Sequence, residues 1–141
     1  MSAVVGAIAF LWLGMVLALS FLEAPLKFRA PGITVQLGLG IGRLVFAALN
    51  RVEVALLLGI TTMVIISPRP ATAVWADGLV AGLLTAQLLL VRPALTRRSD
   101  RVLAGERPTP SPAHRTYIGL ECGKALTLLV LGTSALAASK N

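Results

Sequence analysis

The chain has 141 residues, of which 56% are hydrophobic and 13% charged, and its net charge is +7. Soluble domains carry about 25% charged residues, so this composition argues against a water-covered domain and predicts a membrane protein. The aromatic side chains are too few to stack bases, which argues against a nucleic-acid partner. One cysteine, Cys122, excludes an internal disulfide.

Four apolar segments follow one another along the chain. A spanning helix needs about 20 mostly apolar residues, and the sequence predicts spans at residues 3–22, 44–66, 73–91 and 116–138. The first segment follows no basic stretch, so we expect a retained helix and not a cleaved signal peptide; we expect it to end at Glu23. The predicted fold is an all-α integral membrane four-helix bundle forming a single domain.

The glycine-rich residues 32–44 precede the second span. One helix over residues 33–66 would be about 51 Å long, well beyond the roughly 30 Å of bilayer hydrocarbon. Either an interfacial or re-entrant piece precedes the span, or the helix projects from the membrane. We favour a short interfacial lead-in that ends at Arg43.

The basic residues are concentrated in two of the three loops. The long loop at residues 92–115 is predicted to set orientation, and binding of anionic lipid headgroups is its alternative function. Because loops of cytoplasmic orientation are enriched in Lys and Arg, we expect a plasma (inner) membrane protein with both termini outside. The bias is eight basic residues against two: Lys27, Arg29, Arg92, Arg97, Arg98, Arg101, Arg107 and Arg115 against Arg69 and Lys140.

Ionisable residues occur within the predicted spans, where each costs roughly 2.5–3.5 kcal/mol unless it has a partner. Helical spacing of 100° per residue places Asn50 on the same face as Glu53. If the fourth helix begins before residue 116, the same spacing places His114, Tyr117, Glu121 and Lys124 in one stripe. Five charged residues share one depth in the predicted cytoplasmic half: Glu23, Arg51, Glu53, Glu121 and Lys124.

The partners of these charges can be predicted in part. Arg51 points nearly opposite to Glu53, so we expect Glu53 to meet Lys124 or Arg43. Arg51 would then meet Glu23 or a lipid phosphate. The cluster either has a structural role, as a buried network that fixes helix register or as side chains that snorkel to the headgroups, or it forms a polar cavity that binds a small ligand or passes protons.

Metal and catalytic chemistry have little support. The chain lacks the Glu-x-x-His pairs of di-metal bundles and the paired ligands of zinc or haem sites. We therefore expect no cofactor, no metal and no catalytic residues.

Glycine pairs at four-residue spacing offer helix-packing faces. Small residues at this spacing let helices approach closely in lipid. The pairs are Gly38 and Gly42, Gly78 and Gly82, and Gly119 and Gly123.

Short motifs resemble a known family. The layout is similar to small four-helix membrane proteins of unknown function, of the transmembrane-protein-205-like type. The likeness implies topology alone, and Asn50-Arg51 and the segment from Glu121 to Lys124 depart from it. The motifs that carry it are Trp12-Leu13-Gly14, Lys27-Phe28, Val35-Gln36, Leu44-Val45-Phe46 and His114.

Two functions remain open at this point. The favoured one is an accessory or structural subunit that docks other membrane helices, or a second copy of itself, through its glycine faces. The alternative is binding or transport of a small molecule or protons by the charge cluster. In both cases the lipid bilayer is the surrounding partner.

Overall fold

A computed structural model describes residues 2–67 and 70–140, and within them all regular structure is helical. Four long helices form a bundle: α1 (Ser2–Lys27), α2 (Val35–Ile66), α3 (Ala71–Leu103) and α4 (Pro112–Ala138). By length and composition, each is able to cross a membrane. Arg69, counted above opposite the basic loops, lies outside the described residues.

Helix α1 continues past Glu23 to Lys27, so its predicted end is wrong. The reason is a π-helical turn over Leu17–Glu23, which ends two residues before Pro25. A proline ring clashes with the carbonyl four residues earlier and offers no N–H, and the wider turn accommodates both defects without ending the helix. A second π-helical turn, Gln87–Val91, precedes Pro93 in the same way.

Helix α3 therefore continues to Leu103, well beyond the predicted end at residue 91. The predicted loop at residues 92–115 is helical at both ends and irregular only from residue 104 to residue 111. Its helical part carries Ser99 and Val102 on a buried face and arginines on the other.

Helix α2 is continuous, so the predicted interfacial lead-in is wrong. Thr34 caps its start by accepting a hydrogen bond from the Leu37 amide at 3.1 Å, which satisfies one of the free N–H groups of the first turn. At 32 residues the helix is about 48 Å long. It thus exceeds the hydrocarbon thickness, as in the projecting-helix alternative.

All four helices contribute to the apolar core, and α1 and α4 pack against each other within it. Val5, Ala9, Trp12 and Val16 form the buried stripe of α1, at three- and four-residue spacing. Facing them on α4 are Leu128, Leu131 and Ala135.

Two glycines other than those predicted bring α1 and α4 together. A Cβ on Gly132 would lie 2.8 Å from the Phe10 ring, and one on Gly6 would lie 3.1 Å from Leu136. Because residues near the start of α1 meet residues near the end of α4, the two helices run antiparallel.

The two basic loops lie at the same end of the bundle, which we call the basic end. There Arg43 of α2 forms a 2.6 Å ion pair with Asp100 of α3. Arg98 donates to the carbonyl oxygen of Thr109 at 2.6 Å and 3.0 Å, which ties α3 to the loop before α4.

Candidate functional site

A buried lysine organises the polar interior. The Nζ atom of Lys124 lies 2.5 Å from Glu53 Oε1 and 2.6 Å from Glu121 Oε1, and it donates to Gln87 Oε1 at 2.9 Å. The contact with Glu121 is an ion contact whose angles are not those of a hydrogen bond. An ammonium has three N–H donors; Lys124 donates two of them to Glu53 and Gln87, and Glu121 lies beside it as an ion contact.

All four helices contribute to this polar group. Three of its members are charged, and we call them the buried triad: Glu53, Glu121 and Lys124. Its two neutral members are Trp12 and Gln87. Trp12 of α1 donates its indole N–H to Glu53 Oε1 at 2.9 Å. Gln87 belongs to the π-helical turn of α3. The triad therefore lies where the four helices meet.

The charges of the triad do not balance. Two carboxylates face one ammonium, and the side chains of all three are fully buried. With every group ionised the triad carries one net negative charge, and an unbalanced buried charge is strongly unfavourable. One further positive charge, from a proton or from a bound cation, would neutralise it.

A cavity of about 860 Å³ lies at the basic end and reaches Glu121. All four helices line it. Two side-chain oxygen atoms of its lining residues have no hydrogen-bond partner among the described residues: Asn50 Oδ1 and Glu121 Oε2. Glu121 is fully buried and Asn50 is 5% exposed, so the cavity meets acceptor groups that are otherwise shielded from solvent.

Basic side chains also line the cavity. Arg43 and Arg98 already have the partners described above. Lys27 has a loose 3.4 Å contact with Glu23 and lies over the rings of Phe28 and Phe46. Arg92, at the end of the second π-helical turn, makes no ion pair or hydrogen bond with the described residues.

The walls of the cavity are apolar and reach the molecular surface. Phe21, Leu44 and Ile118 line it and are 38%, 75% and 43% exposed. The cavity is therefore open to the surroundings of the bundle beside these residues.

The predicted charge pairs have different outcomes. The pair of Glu53 with Lys124 is confirmed, whereas Arg43, the other candidate for Glu53, pairs with Asp100. The predicted contact of Arg51 with Glu23 is wrong, because Arg51 is exposed and Glu23 contacts Lys27. Because α1 continues through Pro25, Lys27 lies one helical turn after Glu23 and forms the ion contact that was predicted for Arg51.

The predicted polar stripe of α4 is partly buried. His114 lies exposed at the mouth of the cavity, Tyr117 is half-buried, and Glu121 and Lys124 are fully buried. Asn50 and Glu53 share the buried face of α2.

The predicted glycine pairs occupy two environments. The end of α1 covers the first pair: a Cβ on Gly38 would overlap the ring of Phe28, and one on Gly42 would lie 2.9 Å from Lys27 Nζ. Gly123 faces Leu83 at ordinary contact distance. The other three are exposed, with open space where a Cβ would be: Gly78, Gly82 and Gly119.

Two residues of the site were not predicted from the sequence. Gln87 is a polar residue deep in an apolar span, and that position is a signal that could have found it. Trp12 entered only as part of a family motif, because nothing local shows which way an indole N–H points. Within residues 2–67 and 70–140, no group of three or more His, Cys, Asp or Glu side chains is arranged to hold a metal ion.

The geometry defines a class: a helical bundle with four helices of membrane-spanning length, a buried ionic triad and a cavity above it. Comparisons with known proteins add no family to this description. No protein-family model matches the chain, and neither a curated protein nor a solved structure is significantly similar to it.

Proposed function

We propose that this protein is an integral membrane four-helix bundle that binds a small ligand in the cavity at its basic end. The observation that carries the proposal is the set of unpartnered polar atoms of Asn50 and Glu121, which are buried yet line an open cavity. This is the binding alternative from the sequence, with the triad below the ligand.

Polar groups without partners are energetically costly in a protein interior. A buried polar group that makes no hydrogen bond costs about 1–3 kcal/mol, and native proteins satisfy nearly all such groups. A ligand with hydrogen-bond donors would satisfy them here. The volume of about 860 Å³ is within the range of small-molecule sites, about 300–1,000 Å³.

The proposed membrane placement puts the cavity near the headgroups. Helices α2 and α3 have 32 and 33 residues, so both are about 50 Å long and exceed the hydrocarbon layer by about 20 Å. The surplus at the basic end carries the arginines, and there the cavity would be open to lipid and to the cytoplasm.

The test is to fill the cavity and look for loss of a bound molecule. Ala47 is half-buried in the cavity wall, so Ala47→Trp should displace a ligand. Ala71→Trp, at an exposed position where α3 begins at the other end of the bundle, is the matched control. We expect native mass spectrometry from mild detergent to show a retained non-protein mass on the wild type and Ala71→Trp but not on Ala47→Trp. Equal masses on both variants would refute the proposal.

The accessory-subunit function is the second candidate, supported by the exposed glycines Gly78 and Gly82 of α3. If these glycines dock another helix, Gly78→Leu with Gly82→Leu should abolish the larger complex on native gels. Gly14→Leu, at an exposed position of α1 with equal free space, should not. A wild type that migrates as a single copy without a partner would refute this function.

A further inference from the structure

We propose that the ligand is an aminophospholipid, bound with its protonated primary amine towards Glu121 and its phosphate among the basic side chains of the cavity. This inference rests on the proposed function and names its ligand class. Three features of the cavity support it, one for each chemical part of such a lipid.

The groups at the inner end of the cavity favour a ligand group that is positively charged and donates hydrogen bonds. Glu121 and Asn50 present acceptor oxygens without partners, and the triad has one net negative charge when fully ionised. A primary ammonium brings one positive charge and three N–H donors. It would therefore neutralise the triad and satisfy these acceptors together, whereas an anion or a neutral alcohol would leave the charge unbalanced.

The basic residues of the cavity call for an anion. Arg92 makes no ion pair or hydrogen bond with the described residues, and the ion contact of Lys27 with Glu23 is loose, at 3.4 Å. Arginine binds phosphate oxygens in a bidentate manner, and lysine binds them as a point charge. A phosphate between Lys27 and Arg92 would lie further out than the amine, which is the order of the two groups in a lipid whose headgroup inserts into the bundle.

The apolar, exposed walls call for hydrocarbon. Phe21, Leu44 and Ile118 extend from the cavity to the outer surface of the bundle. Acyl chains leaving the cavity would pass beside them into the bilayer. A soluble molecule with the same headgroup, such as phosphoethanolamine, would gain no binding free energy from this apolar surface. The surface therefore favours the intact lipid as the ligand.

The experiment measures lipid retention by native mass spectrometry after reconstitution in phosphatidylcholine, whose quaternary ammonium has no N–H donor. Phosphatidylethanolamine, phosphatidylglycerol and soluble phosphoethanolamine are added in turn. We expect the wild type to retain phosphatidylethanolamine at least about tenfold better than either of the other two, a difference of about 1.4 kcal/mol.

Variants assign the two ends of the headgroup. In Glu121→Gln the preference for phosphatidylethanolamine over phosphatidylglycerol should be lost, because the triad becomes neutral. In Arg92→Gln retention of both lipids should fall. The matched control is Glu106→Gln, an exposed carboxylate in the loop before α4, which should behave as the wild type does. Circular dichroism confirms that each variant is folded.

Three results would overturn the inference. Equal retention of the two lipids by the wild type would mean that a proton, and not an amine, neutralises the triad. A preference that persists in folded Glu121→Gln would place the amine elsewhere. Binding of phosphoethanolamine as strong as that of the lipid would remove the membrane as the source. If Ala47→Trp still abolishes ligand retention in any of these cases, the proposed function stands and only the ligand class fails.

Discussion

At the scale of the residue, Lys124 is the group that lets two carboxylates lie inside the bundle. Its ammonium reaches Glu53, Glu121 and Gln87 within 2.9 Å. Removing one partner of a buried ion pair leaves an uncompensated charge, whose cost is larger than the net stabilisation by the pair. The two kinds of substitution within the triad should therefore have unequal effects.

Replacing the lysine should be severe. In Lys124→Met, Glu53 and Glu121 face each other without a cation, and we expect the free energy of unfolding to fall by about 3–5 kcal/mol. The measurement is reversible unfolding in mixed detergent micelles, followed by circular dichroism.

Replacing one carboxylate should be mild. In Glu121→Gln, Lys124 keeps Glu53 and Gln87 and the group becomes neutral, so we expect stability within about 1 kcal/mol of the wild type. If Glu121→Gln destabilised the protein as much as Lys124→Met, the charge imbalance inferred for the triad would be wrong.

Trp12 should stabilise the bundle through its indole N–H as well as its packing. Trp12→Phe removes the donor of the 2.9 Å hydrogen bond to Glu53, and hydrogen bonds to charged groups contribute about 1.5–3 kcal/mol. We expect a loss of at least this size in the same unfolding measurement. Trp75→Phe is the matched control because Trp75 is 79% exposed; equal losses in the two variants would contradict the assignment.

The sequence predicts some of these contacts and misses others for physical reasons. The pair of Glu53 with Lys124 follows from depth and helical phase, because both quantities are periodic along a helix. The predicted contact between Arg51 and Glu23 was wrong because it assumed that α1 ends at Glu23. The π-helical turn lets the helix continue to Lys27, and the sequence pattern does not show this turn. The contact between Trp12 and Glu53 joins residues 41 apart and needs the packing of α1 on α2, which no local pattern encodes.

At the scale of the element, the two π-helical turns have a shared position and a shared consequence. Each ends two residues before a proline, and each carries a residue of the site: Ser20, which lines the cavity, in the first and Gln87 in the second. Such turns often occur at functional sites. Proline ordinarily predicts the end of a helix, and because these turns accommodate it, two predicted helix ends are too early.

The close packing of α1 on α4 at Gly132 can be tested by adding a side chain there. A Cβ there would lie 2.8 Å from the ring of Phe10, so in Gly132→Leu either this ring or helix α1 must move away from α4. We expect a loss of about 1–3 kcal/mol, typical of overpacking, in thermal unfolding in detergent. Gly119→Leu is the control, since Gly119 lies in the same helix with open space around it. A larger loss at Gly119 would contradict the packing of α1 on α4.

At the scale of the whole molecule, the proposed orientation follows from the charge of the loops. The apolar length of the helices was predictable, because hydropathy along the chain depends on the residues of each segment alone. The cavity was foreseen only as one of two alternatives. Its volume depends on how far the four helices separate at the basic end, and this separation is not a property of any single segment.

Orientation can be tested with single cysteines in a Cys122→Ser background. Ala104→Cys lies in the exposed loop before α4, and Ser139→Cys lies just after α4 ends. We expect a membrane-impermeant maleimide to label Ser139→Cys in intact cells and Ala104→Cys only after permeabilisation. The reverse pattern would place the basic end outside and refute the proposed topology.

The most direct test of ligand binding above the triad is an experimental density map of the wild-type protein crystallised from a lipid phase. We predict headgroup density in the cavity, in contact with Glu121 and close to Arg92, above a Lys124 that remains bonded to Glu53. A cavity closed by protein side chains, or Glu53 and Glu121 turned towards acyl chains away from Lys124, would contradict the central claim.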